Sequence, residues 1–144
     1  MAEIRDARES DAEAVGTLLS SLGYPETQPF IHARLAHLLS LPDERVLVAV
    51  EHSTVVGVLS LHFIPQLGLA GDFCRISYFC VDEAARGEGI GARLEARATE
   101  LARARRCDRI EVHCHASRLQ ALRFYGRQGY AESPQYLIKS LAVE

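Results

Sequence analysis

The spacing of hydrophobic and polar residues predicts an alternation of helices and strands. Apolar residues recur at helical spacing from Ala14 to Leu22, and Ser10 stands before an acidic first turn as a capping residue. Gly23 follows as a C-cap, and a second helix is expected from about Thr27 to Leu39. The strongest helical pattern runs from Gly89 to Arg106, where good helix formers dominate.

Runs of β-branched and aromatic residues predict the strands. Residues 45–50 and 55–64 flank a short polar loop and are expected to pair as an antiparallel hairpin. The other expected elements are a short strand at Ile4, strands at 75–81, 109–114 and 136–141, and a helix at 118–127. The resulting order, β-α-α-β-β-β-α-β-α-β, predicts a mixed α/β fold with a β-α-β crossover in its second half.

Length and composition predict one globular domain, residues 1–144. Hydrophobic residues make up 48% and charged residues 24% of the chain, which is typical of a folded protein. The net charge of −3 argues against a general nucleic-acid binder. The charge is uneven, however, because ten arginines and five acidic residues lie between Arg86 and Arg127. This arginine-rich segment is either a solvated helix face or a site for an anionic ligand.

Cysteine usage and hydropathy predict a cytoplasmic protein. The four cysteines form no C-x-x-C pair and are expected to be small buried residues rather than disulfides. The first residues are charged, and the longest apolar run, Val55–Ile64, is about half of a membrane span. His113 and His115 flank Cys114 on a predicted strand, but two histidines without a third ligand make a weak metal site, so no metal is expected.

A glycine-rich turn, residues 86–91 (RGEGIG), lies between a predicted strand and the strongest helix. The unpaired N–H groups and positive dipole of a helix start favour a phosphate, and glycine lets the anion approach the backbone. The spacing matches neither the G-x-x-x-x-G-K-[ST] loop of nucleoside triphosphatases nor the G-x-G-x-x-G turn of dinucleotide-binding folds. The alternative is that the glycines serve only a tight turn.

Two motifs resemble those of the GNAT superfamily of acyl-CoA-dependent N-acetyltransferases. Arg86, Gly89 and Gly91 match the signature [Q/R]-x-x-G-x-[G/A]. Further along, Ala121–Tyr130 is similar to the family pattern A-x-x-F-Y-x-x-x-G-[F/Y]. The element order is also similar, so the resemblance covers nearly the whole chain. The stretch His115–Tyr130 resembles the branch that includes aminoalkylphosphonate and related small-amine acetyltransferases.

The resemblance implies a bound acetyl-CoA, held where two neighbouring strands splay apart. The strand backbone expected to pair with its pantetheine arm is that of Phe79, Cys80 and Val81. The backbone N–H groups expected to hold its pyrophosphate are those of Arg86, Gly87, Glu88, Gly89, Ile90 and Gly91. The Glu88 carboxylate should point away from the phosphates. Many members have an asparagine where this chain has Arg118, which would contact either a CoA phosphate or an anionic group of the acceptor.

The resemblance also implies direct acetyl transfer to a primary amine within a ternary complex. Tyr125 occupies the family position of the acid that protonates the departing thiolate. The backbone N–H of Phe79 or Cys80 is expected to polarise the thioester carbonyl. The first two helices and the loop Pro65–Asp72 would frame a small-molecule amine, with no nucleic-acid or membrane partner. Family members often dimerise through edge strands, so the resemblance allows a homodimer.

The general base and two rival functions stay open. Some members carry a glutamate on the strand before the turn, but this chain has none there, which leaves Glu111, His113 and His62 as alternatives, directly or through water. Cys80 is not expected to act as a covalent nucleophile, because it lies in a buried strand without a paired base. The rivals are a non-catalytic acyl-CoA sensor and a scaffold whose arginine-rich segment binds RNA or an acidic partner.

Overall fold

The computed structural model describes residues 1–133 and 136–141 of the chain. These residues belong to two compact units, Met1–Val112 and a second unit that begins at His113. The helices and strands are β1 (Glu3–Asp6), α1 (Ala12–Leu22), α2 (Gln28–Leu39), β2 (Glu44–Glu51), β3 (Thr54–Ile64), β4 (Phe73–Val81), α3 (Ile90–Ala104), β5 (Ile110–Val112) and α4 (Leu119–Arg127). The mixed α/β class is confirmed, whereas the single-domain organisation stays a prediction.

The first unit contains a five-stranded sheet in the order β1-β2-β3-β4-β5. The first three pairings are antiparallel, which confirms the hairpin of β2 and β3. β5 runs parallel to β4, and α3 joins the two strands. The β-α-β crossover of the sequence prediction is therefore present.

Helices pack on both faces of this sheet. On one face, apolar residues of α1 and α2 pack against alternate residues of the strands, among them Val48 and Val58. α3 packs on the other face. Its Leu94 side chain lies so close to Gly57 of β3 that a Cβ built at this glycine would be 3.0 Å from it. In β3, even-numbered residues after Gly57 therefore face α1 and α2, and odd-numbered residues face α3.

Two details of the first unit correct or extend the sequence predictions. Ser10 does not cap α1, because Glu9–Asp11 form a 3₁₀ turn and Asp11 is the N-cap. The Asp11 carboxylate instead bridges the Arg8 N–H at 2.7 Å and the Arg5 guanidinium at 2.8 Å. At the other end of α1, Gly23 adopts a left-handed conformation with φ 115°, which confirms the predicted C-cap.

The predicted last strand, residues 136–141, is wrong. These residues lie outside regular secondary structure, and Leu137 and Ile138 are exposed. The strand predicted at 109–114 likewise ends at Val112. An apolar run becomes a strand only when a neighbour supplies ladder hydrogen bonds and a surface to pack on, and these contacts are not visible in local sequence.

The four cysteines differ in burial. The four cysteines are thiols that form no disulfide with one another, and burial raises the pKa of Cys74 to about 12. Cys74 and Cys80 are buried as predicted, while Cys107 and Cys114 are half-buried.

Within the part of the chain that the structure describes, no helix is long and apolar enough to cross a membrane.

Leu59→Ala should destabilise the first unit strongly. Leu59 is fully buried at the centre of the sheet, between Leu47 of β2 and Phe79 of β4. Removing its side chain leaves a cavity, and the expected loss in the free energy of unfolding is about 2–5 kcal/mol. Urea denaturation followed by circular dichroism measures it. Leu67→Ala, at a fully exposed loop position, is the control and should change stability by about 0.5 kcal/mol or less. Equal effects of the two substitutions would contradict the assigned core.

Candidate functional site

The end of β4 extends beyond its neighbour β5. The two strands pair at only three positions, Cys74 with Ile110, Arg75 with Glu111 and Ile76 with Val112. From Ser77 to Val81, β4 keeps its pairing with β3 but has no ladder to β5. Where a strand continues past its neighbour, its backbone N–H and C=O groups can pair with an extended ligand. Phe79, Cys80 and Val81, the predicted pantetheine-binding residues, lie on this segment.

The glycine-rich turn follows directly, between β4 and α3. Asp82 and a 3₁₀ turn, Glu83–Ala85, lead into it. Gly87 and Gly89 have φ of 86° and 78°, in the left-handed region where other residues are strained. Apart from the chain neighbours, no described residue comes within 4 Å of a Cβ built at either glycine, so the described structure leaves the space in front of the turn open. Both glycines are thus required by the backbone and leave room for a ligand.

The first turn of α3 has the properties of an anion site. Gly89 is the N-cap and, having no side chain, makes no capping hydrogen bond. The first backbone N–H groups of a helix have no partner within the helix and carry its positive dipole end. The predicted donors Gly89, Ile90 and Gly91 lie at this helix start, and Gly87 and Glu88 lie in the loop before it.

Arg86 joins the two halves of the site. Its Nε donates to the carbonyl oxygen of Val81, the last residue of β4, at 3.1 Å. Its backbone N–H reaches the oxygen of Glu83 at 3.3 Å. The side chain thereby fixes the strand end against the turn, a positioning role that the sequence pattern did not indicate.

The arginine-rich segment is partly neutralised by local partners. Arg97 pairs with Glu100 at 3.0 Å, and Arg105 pairs with Asp43 at 2.5 Å. Arg105 also lies over the Phe63 ring, 4.3 Å from its centroid. Arg105 therefore ties the end of α3 to the start of β2 and to β3, whereas the Arg97–Glu100 pair lies within α3. The predicted general attraction for an anion falls mainly to the other arginines.

In the second unit, Tyr125 is buried near the end of α4. Its ring packs edge-on against Phe124 and Tyr130, with centroid separations of 5.4 Å each. Burial raises the pKa of Tyr125 to about 12; Cys114 adds to this rise and Arg118 opposes it. The phenol therefore keeps its proton at neutral pH and can act as a donor.

Arg118 is the N-cap of α4 and is exposed. Ser117 does not cap the helix through its side chain, because its hydroxyl lies 2.8 Å from His115 Nδ1. The predicted alternation of His113, Cys114 and His115 on a strand does not apply, since these residues follow the end of β5. Among the described residues, no three metal-ligating side chains cluster together.

The three alternative bases lie in different surroundings. Burial acts to raise the pKa of Glu111, but hydrogen bonds from Arg109 and Arg75 outweigh it and the pKa is lowered. This carboxylate is therefore a weak base. The ring of His113 lies against Tyr136, with centroids 4.2 Å apart. His62 alone of the three is hydrogen bonded to both a carboxylate and a hydroxyl within the described structure, those of Glu44 and Ser77.

The sequence did not single out Glu44 and Ser77 as functional residues. One signal pointed towards them: a histidine inside the apolar run of β3 needs polar neighbours. Which residues those neighbours are depends on the strand register, which the sequence pattern did not specify.

A strand that extends beyond its ladder with β5, followed by a glycine turn at the start of a long helix, is the arrangement that the resemblance implies for a CoA-dependent acyltransferase. The sequence profile of the Acetyltransferase (GNAT) family matches residues 5–130, and the chain belongs to this family. It is an N-acetyltransferase, and enzymes of this family use acetyl-CoA as the acetyl donor. The glycine turn and the end of β4 beyond its ladder with β5 fit that co-substrate.

The chain is similar to two enzymes in sequence and to one solved structure in fold. It is 33% identical to the aminoalkylphosphonate N-acetyltransferase of Salmonella typhimurium, over 96% of this chain and 91% of that one. It is 32% identical to glucosamine 6-phosphate N-acetyltransferase 1 of Oryza sativa subsp. japonica, over 75% of this chain and 66% of the rice enzyme. Its structure is similar to that of a transcriptional regulator from Bacillus halodurans, with a TM-score of 0.90, 29% identity, and coverage of 98% and 100% of the two chains.

Proposed function

We propose that the protein acetylates the primary amine of a small molecule that also carries a phosphonate or phosphate group. The observation that supports acetyl transfer is the glycine turn that directly follows the end of β4, where β4 continues beyond its ladder with β5. The acceptor class rests on two relatives, whose names both combine an amine with a phosphorus oxyanion.

The proposed binding roles follow the two elements of the site. The backbone of Phe79, Cys80 and Val81 pairs with the pantetheine arm, and the N–H groups of residues 86–91 hold the pyrophosphate. Glu88 turns its carboxylate to solvent, because it would repel the phosphates. Arg118 provides a further cation for a phosphate, on either the donor or the acceptor.

The proposed chemistry is direct transfer. When bound, acetyl-CoA supplies a thioester carbon open to attack and a thiolate leaving group. The backbone N–H of Phe79 or Cys80 stabilises the charge that develops on the carbonyl oxygen. Tyr125 donates a hydrogen bond to the departing sulfur as the amine nitrogen bonds to the acetyl carbon, and the thiolate takes up through the phenol or from solvent one proton in place of the one that the nitrogen releases as the amide forms. A covalent route through Cys80 is disfavoured, because this thiol is buried and donates to the carbonyl oxygen of Leu18 at 3.4 Å.

An acceptor panel tests this proposal. Purified protein is incubated with acetyl-CoA and either 2-aminoethylphosphonate or glucosamine 6-phosphate, with ethanolamine and glucosamine as the matched amines without the anion. We expect release of the CoA thiol and acetylated product, with kcat/KM for the anionic amines higher by about tenfold or more, since a site built for an oxyanion loses those contacts with the neutral analogues. Equal kcat/KM values within each pair would contradict the proposed acceptor class.

A second candidate function is a non-catalytic acyl-CoA sensor. The observation that favours it is the close structural match to a protein named as a transcriptional regulator. Such a sensor would keep the glycine turn and bind acetyl-CoA, yet release no thiol with any amine of the panel. Turnover with one of these amines decides for the enzyme.

A further inference from the structure

Three polar side chains from adjacent strands form a hydrogen-bonded row on the sheet. Glu44 of β2 lies directly opposite His62 of β3, and its carboxylate bonds to His62 Nδ1. His62 Nε2 lies 2.5 Å from the hydroxyl oxygen of Ser77 on β4. The Glu44 and His62 side chains are 21% and 23% exposed, and Ser77 is exposed. The row thus runs from a half-buried carboxylate to a hydroxyl at the surface.

A β-bulge places Ser77 in this row. Ser60 pairs with Tyr78 and Leu61 pairs with Ile76, so Ser77 is an extra residue on β4. A bulge redirects a side chain, and bulges are frequent next to active sites. Ser77 is also the first residue of β4 beyond its ladder with β5. Its hydroxyl therefore lies at the start of the strand segment proposed to bind the acetyl donor.

The chemistry of the three groups sets the direction of proton movement. An ionised carboxylate only accepts hydrogen bonds, so Glu44 requires the proton of neutral His62 on Nδ1. Nε2 is then the basic nitrogen and accepts the hydroxyl proton of Ser77. A carboxylate behind an imidazole also stabilises the imidazolium that forms when Nε2 takes a proton. This is the order of groups that turns a histidine into an oriented base.

The charges around His62 support that role. Arg75 lies directly opposite His62 on β4, but its guanidinium is paired with Glu111 at 3.2 Å. The residues that α1 and α2 bury on this face are apolar. The buried Glu95 belongs to α3, on the other face of the sheet. Glu44 is therefore the acidic side chain that directly contacts His62 within the described residues.

We propose that Glu44, His62 and Ser77 are a proton relay that deprotonates the acceptor ammonium, which rests on the acetyl transfer proposed above. An ammonium such as that of lysine has a pKa of about 10.4 and holds its proton at neutral pH. Ser77 Oγ accepts one proton from the ammonium while its own proton moves to His62 Nε2. The amine becomes neutral with a free lone pair, the imidazole becomes an imidazolium beside Glu44, and the proton later leaves to solvent. Glu44 acts as a positioning residue.

Acceptors of different basicity test the relay. His62→Ala and Ser77→Ala are compared with wild type at one pH, using an accepted amine of high pKa and a second, weakly basic one that is already neutral. For the basic amine, kcat should fall about tenfold, while KM for acetyl-CoA changes by about twofold or less. For the weakly basic amine the fall should be about threefold or less, because no proton has to be removed before the amine attacks.

Chemical rescue and a Glu44 variant test the relay specifically. Added imidazole should restore part of the activity of His62→Ala, and Glu44→Gln should lower kcat without raising KM for acetyl-CoA. His52→Asn is the control, since His52 is exposed in the turn at the other end of β3 and its φ of 51° is one that asparagine tolerates. Ser77 is exposed, so Ser77→Ala should fold even if the variants of the half-buried pair do not.

Several outcomes would overturn the relay while leaving acetyl transfer in place. These are an equal loss of kcat for both amines, unchanged kcat in Ser77→Ala and His62→Ala, or an acetyl group trapped on Ser77, which would make Ser77 a nucleophile. A wild-type protein that binds acetyl-CoA but acetylates no amine would instead overturn the proposed function, and the relay with it.

Discussion

Gly89→Glu should abolish acetyl-CoA binding. Gly89 is the N-cap of α3 with φ 78°, and no described residue beyond its chain neighbours occupies the space where a side chain would lie. A glutamate there strains the backbone and places a carboxylate at the helix start proposed to hold the pyrophosphate. Repulsion between the two anions, added to the strain, should weaken binding by about 100-fold or more. Isothermal titration calorimetry of the purified variant measures the loss against micromolar binding expected of wild type.

Two controls separate the causes of that loss. Gly89→Ala adds the strain without the charge and should retain part of the affinity. Gly23→Glu introduces the same residue at a left-handed position, φ 115°, at the end of α1, where no described residue beyond the chain neighbours lies within 4 Å of a Cβ. It should bind acetyl-CoA as wild type does. Wild-type affinity in Gly89→Glu would mean that the pyrophosphate binds elsewhere.

Tyr125→Phe should lower kcat at least tenfold and leave acetyl-CoA affinity within about a few-fold. Burial raises the pKa of Tyr125 to about 12, and a departing thiol has a pKa of about 8.5. The phenol therefore acts chiefly by donating a hydrogen bond to the sulfur as negative charge builds on it. Phenylalanine keeps the ring packing against Phe124 and Tyr130 but removes the donor.

The matched control is Tyr136→Phe, which removes a hydroxyl from an exposed ring in the same unit. Its kcat should equal that of wild type. Because the raised pKa keeps Tyr125 protonated, its ionisation should cause no loss of activity until the pH approaches 12. A Tyr125→Phe enzyme with wild-type kcat would remove this residue from the mechanism.

The elements with long periodic patterns were predictable from sequence. The residues of α2, α3 and the β2–β3 hairpin were placed to within a few positions, because one buried face repeats over many residues. The glycine turn was equally clear, since glycine is the residue that a left-handed backbone requires. Short or weakly buried segments were not predictable in this way. Residues 136–141 have the sequence pattern of a strand, but they lie outside regular secondary structure.

The contacts among Glu44, His62 and Ser77 could not be predicted from the sequence. Regular pairing counted back from the turn at His52 and Ser53 would put Glu44 opposite Leu61, on the other face from His62. The register shift between Ala49 and Val50 moves the pairing by one residue and brings Glu44 opposite His62. A second shift, in β4, turns Ser77 towards the same histidine. The local pattern specified which residues form strands, whereas packing of the whole sheet decided where each bulge falls, and a one-residue shift moves a side chain from one face to the other.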